Sequence, residues 1–473
     1  IEGVVDYKIA QVGVDYDRGF SESPGMIEER GTYLAGSTCW TPNIPGTLIT
    51  YDLEVTMPGD WRSVSQGART ETDLVNGTRR DNWAATKPTE EVHVIAAPFT
   101  EYAYDAGAVT AMAFLRTPDE ELADRYLEAT AQYLDMYRDM FGPYPYIKFA
   151  LVENFWETGY GMPSFTLLGS QVIRFPFILH SSYPHELLHN WWGNGVFVDF
   201  ASGNWCEGLT SYLADHLVAE QRGQGADYRR SLLQRYTDYV SPEDDFPLTE
   251  FRSRYSPATE AVGYGKNAMV WEMLRTKVGD DAFVAAFRRF YDDNAFRIAG
   301  YDDIRKAFEA ETGKSLGSFF RQWIERPGAP QLELRDVAVK PLRRGFELSF
   351  DLTQIQDGPA YDLDVPLAVM TPEGPRTYTV SMNRASQSFD LIVDAEPAKV
   401  VVDPQFNLFR RLHHNEIPPA LSKAFGADRI LFVMPAAASA AETARYERLV
   451  ELWSRNREDA VEVIADSDLD AIP

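Results

Sequence analysis

The chain has 473 residues, a formal net charge of −26 and a sequence pI near 4.7. A surface this acidic repels phosphate backbones and anionic membranes, so no nucleic acid partner is expected. Hydrophobic residues make up 45% and aromatic residues 13% of the chain, which is typical of folded globular domains rather than of disorder. About three or four domains are expected from this length.

The longest strongly apolar stretch, residues 430–441, is interrupted by Pro435 and is too short to cross a bilayer, so no membrane anchor is predicted in this chain. The chain begins with Ile1 rather than Met, which signal processing or trimming would explain. The compartment is therefore left open, with an extracytoplasmic (periplasmic or secreted) location slightly favoured, and the oligomeric state is unknown. Cys39 and Cys206 can form at most one disulfide, and a packed thiol is the preferred interpretation of Cys206.

Residues 1–115 alternate short extended runs, such as LITYDLEVTM and EVHVIAAPF, with turn clusters. This texture predicts an N-terminal β domain. One turn cluster contains Asn76-Gly77-Thr78, which matches a glycosylation sequon but is at least as well explained as a hairpin turn.

A long helix is predicted next, because Thr117-Pro118-Asp119-Glu120 matches a capping box with Pro at the first helical position. Gly142-Pro143 should end this helix. The run YIKFALVENF then predicts a strand, and the glycine-rich run GYGMPSFTLLGSQVI predicts the edge strand of the site that follows.

The sequence YPHELLHNWWGN contains an H-E-x-x-H motif, of which composition alone predicts only about 0.01 copies. His185 and His189 stand four residues apart, so a helix presents both imidazoles on one face as two zinc ligands. Glu186 is the candidate general base, since it can reach a metal-bound water without binding the metal. The alternative is a surface helix with two solvated histidines, and the two Leu and two Trp of the same segment disfavour it.

A catalytic zinc needs a third protein ligand and an open position for water. Glu207 lies 18 residues beyond His189, after a segment broken by Gly203, and it opens the helical stretch EGLTSYLADHLVAE. An acidic residue in a first turn is also explained by the helix dipole alone, but the preceding motif favours a ligand. One zinc per chain is predicted, bound by His185, His189 and Glu207.

The segments HELLHNWWGN and CEGLTSYLAD together resemble the gluzincin aminopeptidase family, the zinc exopeptidases related to alanyl aminopeptidase, although the loop between them is one residue shorter than expected. The resemblance implies an α+β multidomain fold with an N-terminal β-saddle over residues 1–115 and a thermolysin-like catalytic domain over residues 116–328. It also implies a zinc metallopeptidase that hydrolyses peptide substrates with a zinc-activated water.

The resemblance assigns a second catalytic residue. Tyr264 in AVGYGKNAM matches the family's Tyr-x-Lys-Gly-type motif, in which the Tyr hydroxyl donates a hydrogen bond to the tetrahedral intermediate. Spacing alone would favour a core tyrosine at this position.

One departure from the family pattern concerns the substrate's amino terminus. The family carries Gly-x-Met-Glu-Asn, whose Glu binds that amine, whereas the matching positions here are Gly161-Met162-Pro163-Ser164. Glu153 and Glu157 are the nearest carboxylates in sequence that could replace the missing group. Whether a free amino terminus is required is therefore left open.

Helical patterns dominate the chain as far as Trp323. The predicted helices are Gly208–Gln221, Tyr228–Val240, Lys266–Val278, Asp280–Asp292, Tyr301–Thr312 and Ser315–Glu325. Six period-two runs from Gln331 onward then predict an immunoglobulin-like β-sandwich over residues 329–412. Residues 413–473 alternate helix, strand, helix and strand, which predicts a partial α/β segment.

Two other functions are alternatives to the aminopeptidase-like one. The same zinc site could serve an endopeptidase or another hydrolase, because a fold and a metal do not fix the substrate. A non-catalytic binding module of the same fold is disfavoured, because every predicted site residue is present.

Overall fold

The computed structural model describes residues 25–471 apart from 39, 43, 45, 420, 428 and 456–459. Over these residues the chain is a mixed α/β multidomain structure with several sheets and helices. Cys39 lies outside the described residues. No helix of the described part combines the length and the apolar character needed to span a bilayer.

The N-terminal region is built from short strands, as its sequence predicts. They are β1 Met26–Glu28, β2 Gly31–Leu34, β3 Ile49–Pro58, β4 Arg62–Val64, β5 Ala68–Val75, β6 Thr78–Thr89 and β7 Val94–Ala97. One sheet has the order β1-β2-β7-β4 and the other the order β3-β6-β5. Asn76 and Gly77 join β5 to β6 with φ angles of 52° and 78°, so the hairpin turn is confirmed.

A five-stranded sheet carries the next part of the chain. Its strands are β8 Thr100–Asp105, β9 Thr110–Leu115, β10 Lys148–Glu153, β11 Gly159–Met162 and β12 Phe165–Leu168. The order is β11-β12-β10-β9-β8, with β10 parallel to both neighbours and β11 antiparallel to β12. The glycine-rich run therefore provides an edge strand, as predicted, and β8 and β9 join this sheet from before residue 116.

Helix α1, Glu120–Phe141, connects β9 to β10, but its predicted start is wrong. The N-cap is Asp119, whose carboxylate accepts a hydrogen bond from the Leu122 N–H at 3.0 Å, so Pro118 lies outside the helix. Asp is at least as favourable an N-cap as Thr, and capping by Asp119 starts the helix two residues later than capping by Thr117 would have done. Gly142 ends the helix, as predicted.

The region after β12 is mostly helical. Its helices are α2 Ser182–Leu188, α3 Cys206–Thr210, α4 Leu217–Gln221, α5 Gly225–Tyr239, α6 Pro257–Glu260, α7 Asn267–Val278, α8 Asp280–Asn294, α9 Tyr301–Thr312 and α10 Gly317–Ile324. Between α2 and α9 run two short parallel strands, β13 Phe197–Val198 and β14 Ile298–Ala299. The six predicted helices are confirmed, with ends that differ by a few residues.

Two of these helices are continuous through a π-helical turn. Residues Ser211–His216 join α3 to α4, and residues Ala261–Lys266 join α6 to α7. A π turn adds a residue to the helical repeat and so re-aims the side chains that follow it.

The core of this helical region encloses α2. Leu187, Leu188, Trp191 and Trp192 are all 0% exposed, which excludes the surface-helix interpretation of the motif. Trp192 packs edge-to-face against Trp205 with ring centroids 6.4 Å apart, so the segment after α2 is held by an aromatic contact to the residue that precedes α3.

The six predicted C-terminal strands are also confirmed. They are β15 Leu332–Pro341, β16 Phe346–Gln354, β17 Leu363–Thr371, β18 Gly374–Met382, β19 Ser386–Val393 and β20 Lys399–Val402. They form two three-stranded sheets, β15-β16-β19 and β18-β17-β20. The names β-saddle, thermolysin-like and immunoglobulin-like, and the boundaries at 115, 328 and 412, stay predictions.

The last segment alternates helix and strand, as predicted. Its elements are α11 Leu421–Gly426, β21 Ile430–Met434, α12 Ala440–Ser454 and β22 Val461–Ala465. The two strands pair in parallel as a two-stranded sheet.

Candidate metal centre and cleft

The predicted site residues all line one cavity of about 830 Å³, here called the cleft. They are His185, Glu186, His189, Glu207 and Tyr264. The cleft is lined by the edge strand β11, by α5 and by the loop before α6, besides the helices that carry these residues.

Helix α2 and the start of α3 bring three donor atoms together. Glu207 Oε2 lies 3.5 Å from His185 Nε2 and 3.6 Å from His189 Nε2. In a tetrahedral zinc site with bonds of about 2.0–2.1 Å, ligand atoms lie about 3.3–3.5 Å apart. The spacing of the three donors therefore fits a zinc ion.

The other nitrogen of each imidazole is held by an acceptor. His185 Nδ1 lies 2.8 Å from Asp215 Oδ2, and His189 Nδ1 lies 3.1 Å from the carbonyl oxygen of Trp192. Donation from Nδ1 leaves Nε2 as the lone-pair nitrogen that faces Glu207, which is the tautomer a metal ligand needs. The free, buried Cys206 donates to the same Trp192 oxygen, in keeping with a packed thiol.

The charges of the cluster favour a cation. Burial alone would lower the pKa of His185, but Asp215 and Glu207 outweigh it and raise that pKa to about 10. Burial alone would raise the pKa of Glu207, but the two histidines hold it well below its ordinary value. The carboxylates thus stabilise positive charge at the Nε2 atoms, and a divalent ion provides such charge.

Glu186 lies against the edge strand. A Cβ atom on Gly161 would come within 2.9 Å of Glu186 Oε2, so the glycine permits the close approach of α2 to β11. Burial raises the pKa of Glu186 above its ordinary value, which makes the carboxylate a stronger proton acceptor.

Tyr264 reaches the cleft from the π turn between α6 and α7. Its ring packs edge-to-face on Phe251 with centroids 5.9 Å apart. Burial and the negative charge of Glu207 raise the pKa of Tyr264 well above its ordinary value, so the hydroxyl keeps its proton and can act as a donor.

The carboxylates suggested as replacements for the missing family Glu lie elsewhere, so that prediction is wrong. Buried Glu153 binds Arg174 at 2.9 Å and accepts a hydrogen bond from Ser170 Oγ at 2.6 Å. Glu157 accepts the backbone N–H of Gln171 at 3.1 Å. Both carboxylates accept hydrogen bonds from residues of the turn after β12, and neither lines the cleft.

Pro163 itself lies outside the cleft and lines a separate cavity of about 60 Å³ near Tyr146. The next residue, Ser164, is buried with a φ of 69°, and its N–H donates to Asn190 Oδ1 at 2.7 Å. The buried Lys148 donates to Ser164 Oγ at 2.8 Å. Polar contacts within the fold therefore fix the turn between β11 and β12, where Pro163 and Ser164 lie.

Sequence reasoning missed three groups of this site. Asp215, which holds His185, lies eight residues after Glu207 on the same helix, a spacing of about two turns that could have signalled it. Glu90, from the loop after β6, also lines the cleft. No local motif marks Glu90, because only the packing of the N-terminal strands brings it there. Two arginines, Arg235 and Arg254, also line the cleft.

Comparison with known proteins gives one matching family, described as the Peptidase family M1 domain, over residues 179–323. Among curated proteins, Aminopeptidase N of Lactobacillus delbrueckii subsp. lactis is 27% identical over 158 residues, which cover 31% of this chain and 18% of that protein. Probable aminopeptidase 2 of Sulfurisphaera tokodaii is 21% identical over 320 residues, which cover 62% of this chain and 38% of that protein.

A third relative is Tricorn protease-interacting factor F2 of Thermoplasma acidophilum, which is 24% identical over 220 residues covering 44% of this chain and 27% of that protein. The matches to these three relatives thus span between 18% and 38% of the relatives' own lengths. The family match over residues 179–323 contains both segments that carry the resemblance, and together with these relatives it confirms the resemblance.

Proposed function

We propose that this chain, whose residues 179–323 match the Peptidase family M1 domain, is a zinc-dependent metallopeptidase that hydrolyses peptide bonds. One observation supports this above all: three donor atoms at zinc spacing, a buried carboxylate and a tyrosine hydroxyl line the same cleft.

His185, His189 and Glu207 would hold one zinc ion per chain. When bound, the ion supplies Lewis acidity, which polarises the scissile carbonyl and makes a water molecule more acidic. Asp215 and the Trp192 carbonyl keep the two imidazoles in the ligand tautomer and fix the direction of their Nε2 atoms.

Glu186 is the acid-base group of the proposal. Its buried carboxylate takes a proton from the attacking water and passes that proton to the nitrogen of the leaving amine. The raised pKa of Glu186 helps both transfers, because it brings the pKa of the carboxyl closer to the operating pH.

Tyr264 stabilises the charge that develops on the carbonyl oxygen. Its hydroxyl, kept protonated by burial, donates a hydrogen bond to that oxygen in the transition state. The edge strand β11 offers an extended peptide a backbone to lie along, which positions the scissile bond between Glu186 and Tyr264.

The amine-binding subsite is proposed to be weaker than in relatives that carry the family Glu. Pro163 cannot pair with an ammonium group, and Glu153 and Glu157 are engaged elsewhere. Glu90 also lines the cleft, and we assign the contact with a free amino terminus to its carboxylate. Loss of one carboxylate–ammonium contact should reduce the preference for free over blocked peptides by about 10- to 150-fold.

The decisive experiment compares kcat/KM of the zinc-loaded protein for one peptide with and without an N-acetyl group. We expect hydrolysis of both, with a preference for the free amine below about 100-fold. A larger preference would contradict the weakened subsite, and Glu90→Gln would then identify the substitute anion. If the zinc-loaded protein cuts no peptide in a panel of free and blocked sequences, the peptidase proposal itself fails.

A further inference from the structure

The segment between β12 and α2 presents two stacked phenylalanine rings at the cleft. Phe175 and Phe177 both line the cleft, and they are 45% and 60% exposed. Their rings are nearly parallel, with an interplanar angle of 9° and centroids 5.4 Å apart. These two residues, here called the aromatic pair, give the cleft an apolar surface that no other part of the chain covers in the structure described.

Exposed phenylalanines are concentrated in this cavity. Within the described residues four phenylalanines are at least 45% exposed, and three of them, Phe175, Phe177 and Phe200, line the cleft. An aromatic ring that stays in contact with water forgoes the free energy that its burial would contribute to folding. Several such rings in one cavity therefore indicate a surface for an apolar ligand.

The segment that carries the aromatic pair is anchored to the core. Ile173 and Ile178, on either side of the pair, are buried. Two tyrosines of α1 hold its backbone, since the Tyr126 hydroxyl donates to the Ile173 carbonyl oxygen at 2.9 Å and the Tyr133 hydroxyl to the Leu179 carbonyl oxygen at 2.7 Å. The two rings are therefore exposed by a fixed segment and not by a loose loop.

The backbone around Pro176 sets the two rings side by side. Phe175 is extended, with φ −75° and ψ 126°, as expected of a residue that precedes proline. Pro176 fixes its own φ, and the Phe177 carbonyl oxygen accepts hydrogen bonds from the His180 N–H and from Ser181 Oγ, both at 3.0 Å. The pair is thus preorganised, so a ligand that stacks on it pays little entropy for ordering the protein.

The surroundings of the aromatic pair select an apolar ligand over a charged one. Leu168 and Val172, which precede the pair, line the same cavity. Arg174, the one charged residue between Val172 and Ile178, is bound to Glu153 at 2.9 Å and does not line the cleft. The segment also leads directly into α2, since Phe177 precedes His185 by eight residues. A side chain of a peptide bound at the metal centre can therefore reach the pair within the same cavity.

We infer that Phe175 and Phe177 form a substrate subsite that binds an aromatic side chain of the peptide by ring contacts. This inference rests on the proposed peptidase function, and it names peptides with Phe, Tyr or Trp near the scissile bond as the preferred substrates. Contacts between aromatic rings contribute beyond the burial of apolar area, so an aromatic residue should be favoured over leucine as well as over alanine.

The test measures kcat/KM of the zinc-loaded protein for peptides of equal length that differ at one residue. Phe, Leu or Ala is placed in turn at each position within two residues of the scissile bond, and mass spectrometry of the products checks that the same bond is cut. At one position Phe should be favoured over Ala by about 10-fold or more and over Leu by about 2- to 10-fold. Equal values for Phe and Ala at every position, or for Phe and Leu at the position that favours Phe over Ala, would overturn the inference.

A double substitution and a matched control assign the preference to the aromatic pair. Phe175→Ala with Phe177→Ala should bring the Phe-to-Ala ratio of kcat/KM toward one. Tyr104→Ala should leave that ratio unchanged, because Tyr104 is also 50% exposed but lies on β8, at the other edge of the sheet from β11 and outside the cleft. Partial loss of fold or of zinc lowers all rates together, so the ratio reports on the subsite. An unchanged ratio in the double variant, or an equal fall in the control, would contradict the assignment.

A binding measurement separates this inference from the proposed function. In zinc-loaded Glu186→Gln, which should not turn substrate over, calorimetry should show the Phe peptide binding about 10-fold or more tighter than its Ala partner. Tighter binding of the Phe peptide without hydrolysis of any peptide by the wild-type protein would keep the subsite and reject the peptidase. Hydrolysis by the wild-type protein with equal rates and equal binding for the two peptides would reject the subsite alone.

Discussion

Two histidine-containing clusters share the helix that runs from Cys206 to Gln221, and each offers three donor atoms within 4.8 Å of one another. One is the candidate metal centre of His185, His189 and Glu207. The other, here called the arginine-bound cluster, consists of His216, Glu220 and Glu272. By donor type and spacing alone, either set could hold a divalent ion.

The partners of the histidine rings differ. In the metal centre, His185 is backed by the carboxylate of Asp215 at 2.8 Å. In the other cluster, Arg229 Nη1 lies 2.7 Å from His216 Nε2 and 3.6 Å from Glu272 Oε1. A guanidinium thus occupies Nε2 of His216 and places a positive charge beside the cluster.

The difference is visible in the proton affinity of the two rings. Burial, with the positive charges of Arg229 and Arg275, lowers the pKa of His216 to about 3, whereas Asp215 and Glu207 overcome burial and raise the pKa of His185 to about 10. A site that repels a proton also repels a dication. Donor spacing therefore makes a candidate, and the net charge around the donors decides whether a cation binds.

Removing one carboxylate from each cluster should give the largest difference in zinc content between the two clusters. Glu207→Ala should lose most of its bound zinc, because a proposed ligand is removed. Glu220→Ala should keep one zinc per chain, measured by elemental analysis after dialysis. Full zinc in the first variant, or loss of zinc in the second, would reverse the assignment of the two clusters.

The proposed role of Glu186 can be tested separately from metal binding. Glu186→Gln should keep its zinc but lose about 10²- to 10⁴-fold in kcat, because an amide cannot accept the proton of the attacking water. Substantial remaining activity at full zinc content would show that another group is the base.

Tyr264→Phe should reduce kcat by about 10²- to 10³-fold with little change in KM, since the hydroxyl acts on the transition state. The control is Tyr446→Phe, on the exposed face of α12, which should have no effect. A loss of less than about 10-fold would return Tyr264 to the role of a packed tyrosine.

Asp215, the anionic partner of His185, should strengthen zinc binding. Asp215→Asn removes the charge but keeps an oxygen acceptor, and zinc affinity should weaken by about 10- to 100-fold in a chelator competition. Asp227→Asn, on the exposed side of α5, is the matched control. Equal affinities would mean that orientation, and not charge, is what Asp215 contributes.

Arg229 helps to lower the pKa of His216, and the free energy of unfolding should therefore depend on pH. The folded pKa of about 3 lies below the ordinary value of 6.5, so the unfolded chain binds more protons below pH 6.5 and the fold loses stability as the pH falls from there toward 3. Between pH 7 and pH 5 this loss is about 2 kcal/mol.

His216→Gln cannot take up that proton, so its urea unfolding free energy should fall less over the same interval. Both proteins contain the same metal centre, so the difference between them removes its contribution. Parallel pH profiles would mean that His216 is not held in a cationic environment.

The sequence by itself located the centre of the site. His185 and His189 are four residues apart, so an α-helix places both imidazoles on one face. Glu207 follows 18 residues after His189, close enough in sequence to be recognised as the third candidate ligand. The family resemblance added Tyr264, which lines the same cleft. The six helices between β12 and β15 could be predicted as well, because their apolar periodicity is local.

Only the tertiary structure decided what surrounds that centre. Glu153 and Glu157 are close in sequence to β11, which lines the cleft, but their carboxylates are bound elsewhere. Glu90 and Arg254, which line the cleft, come from the loop after β6 and from the loop before α6. Arg229, which contacts His216 Nε2, likewise lies 13 residues further along the chain, on another helix. These outcomes depend on which charges are desolvated together, and that depends on packing between distant segments rather than on any local spacing.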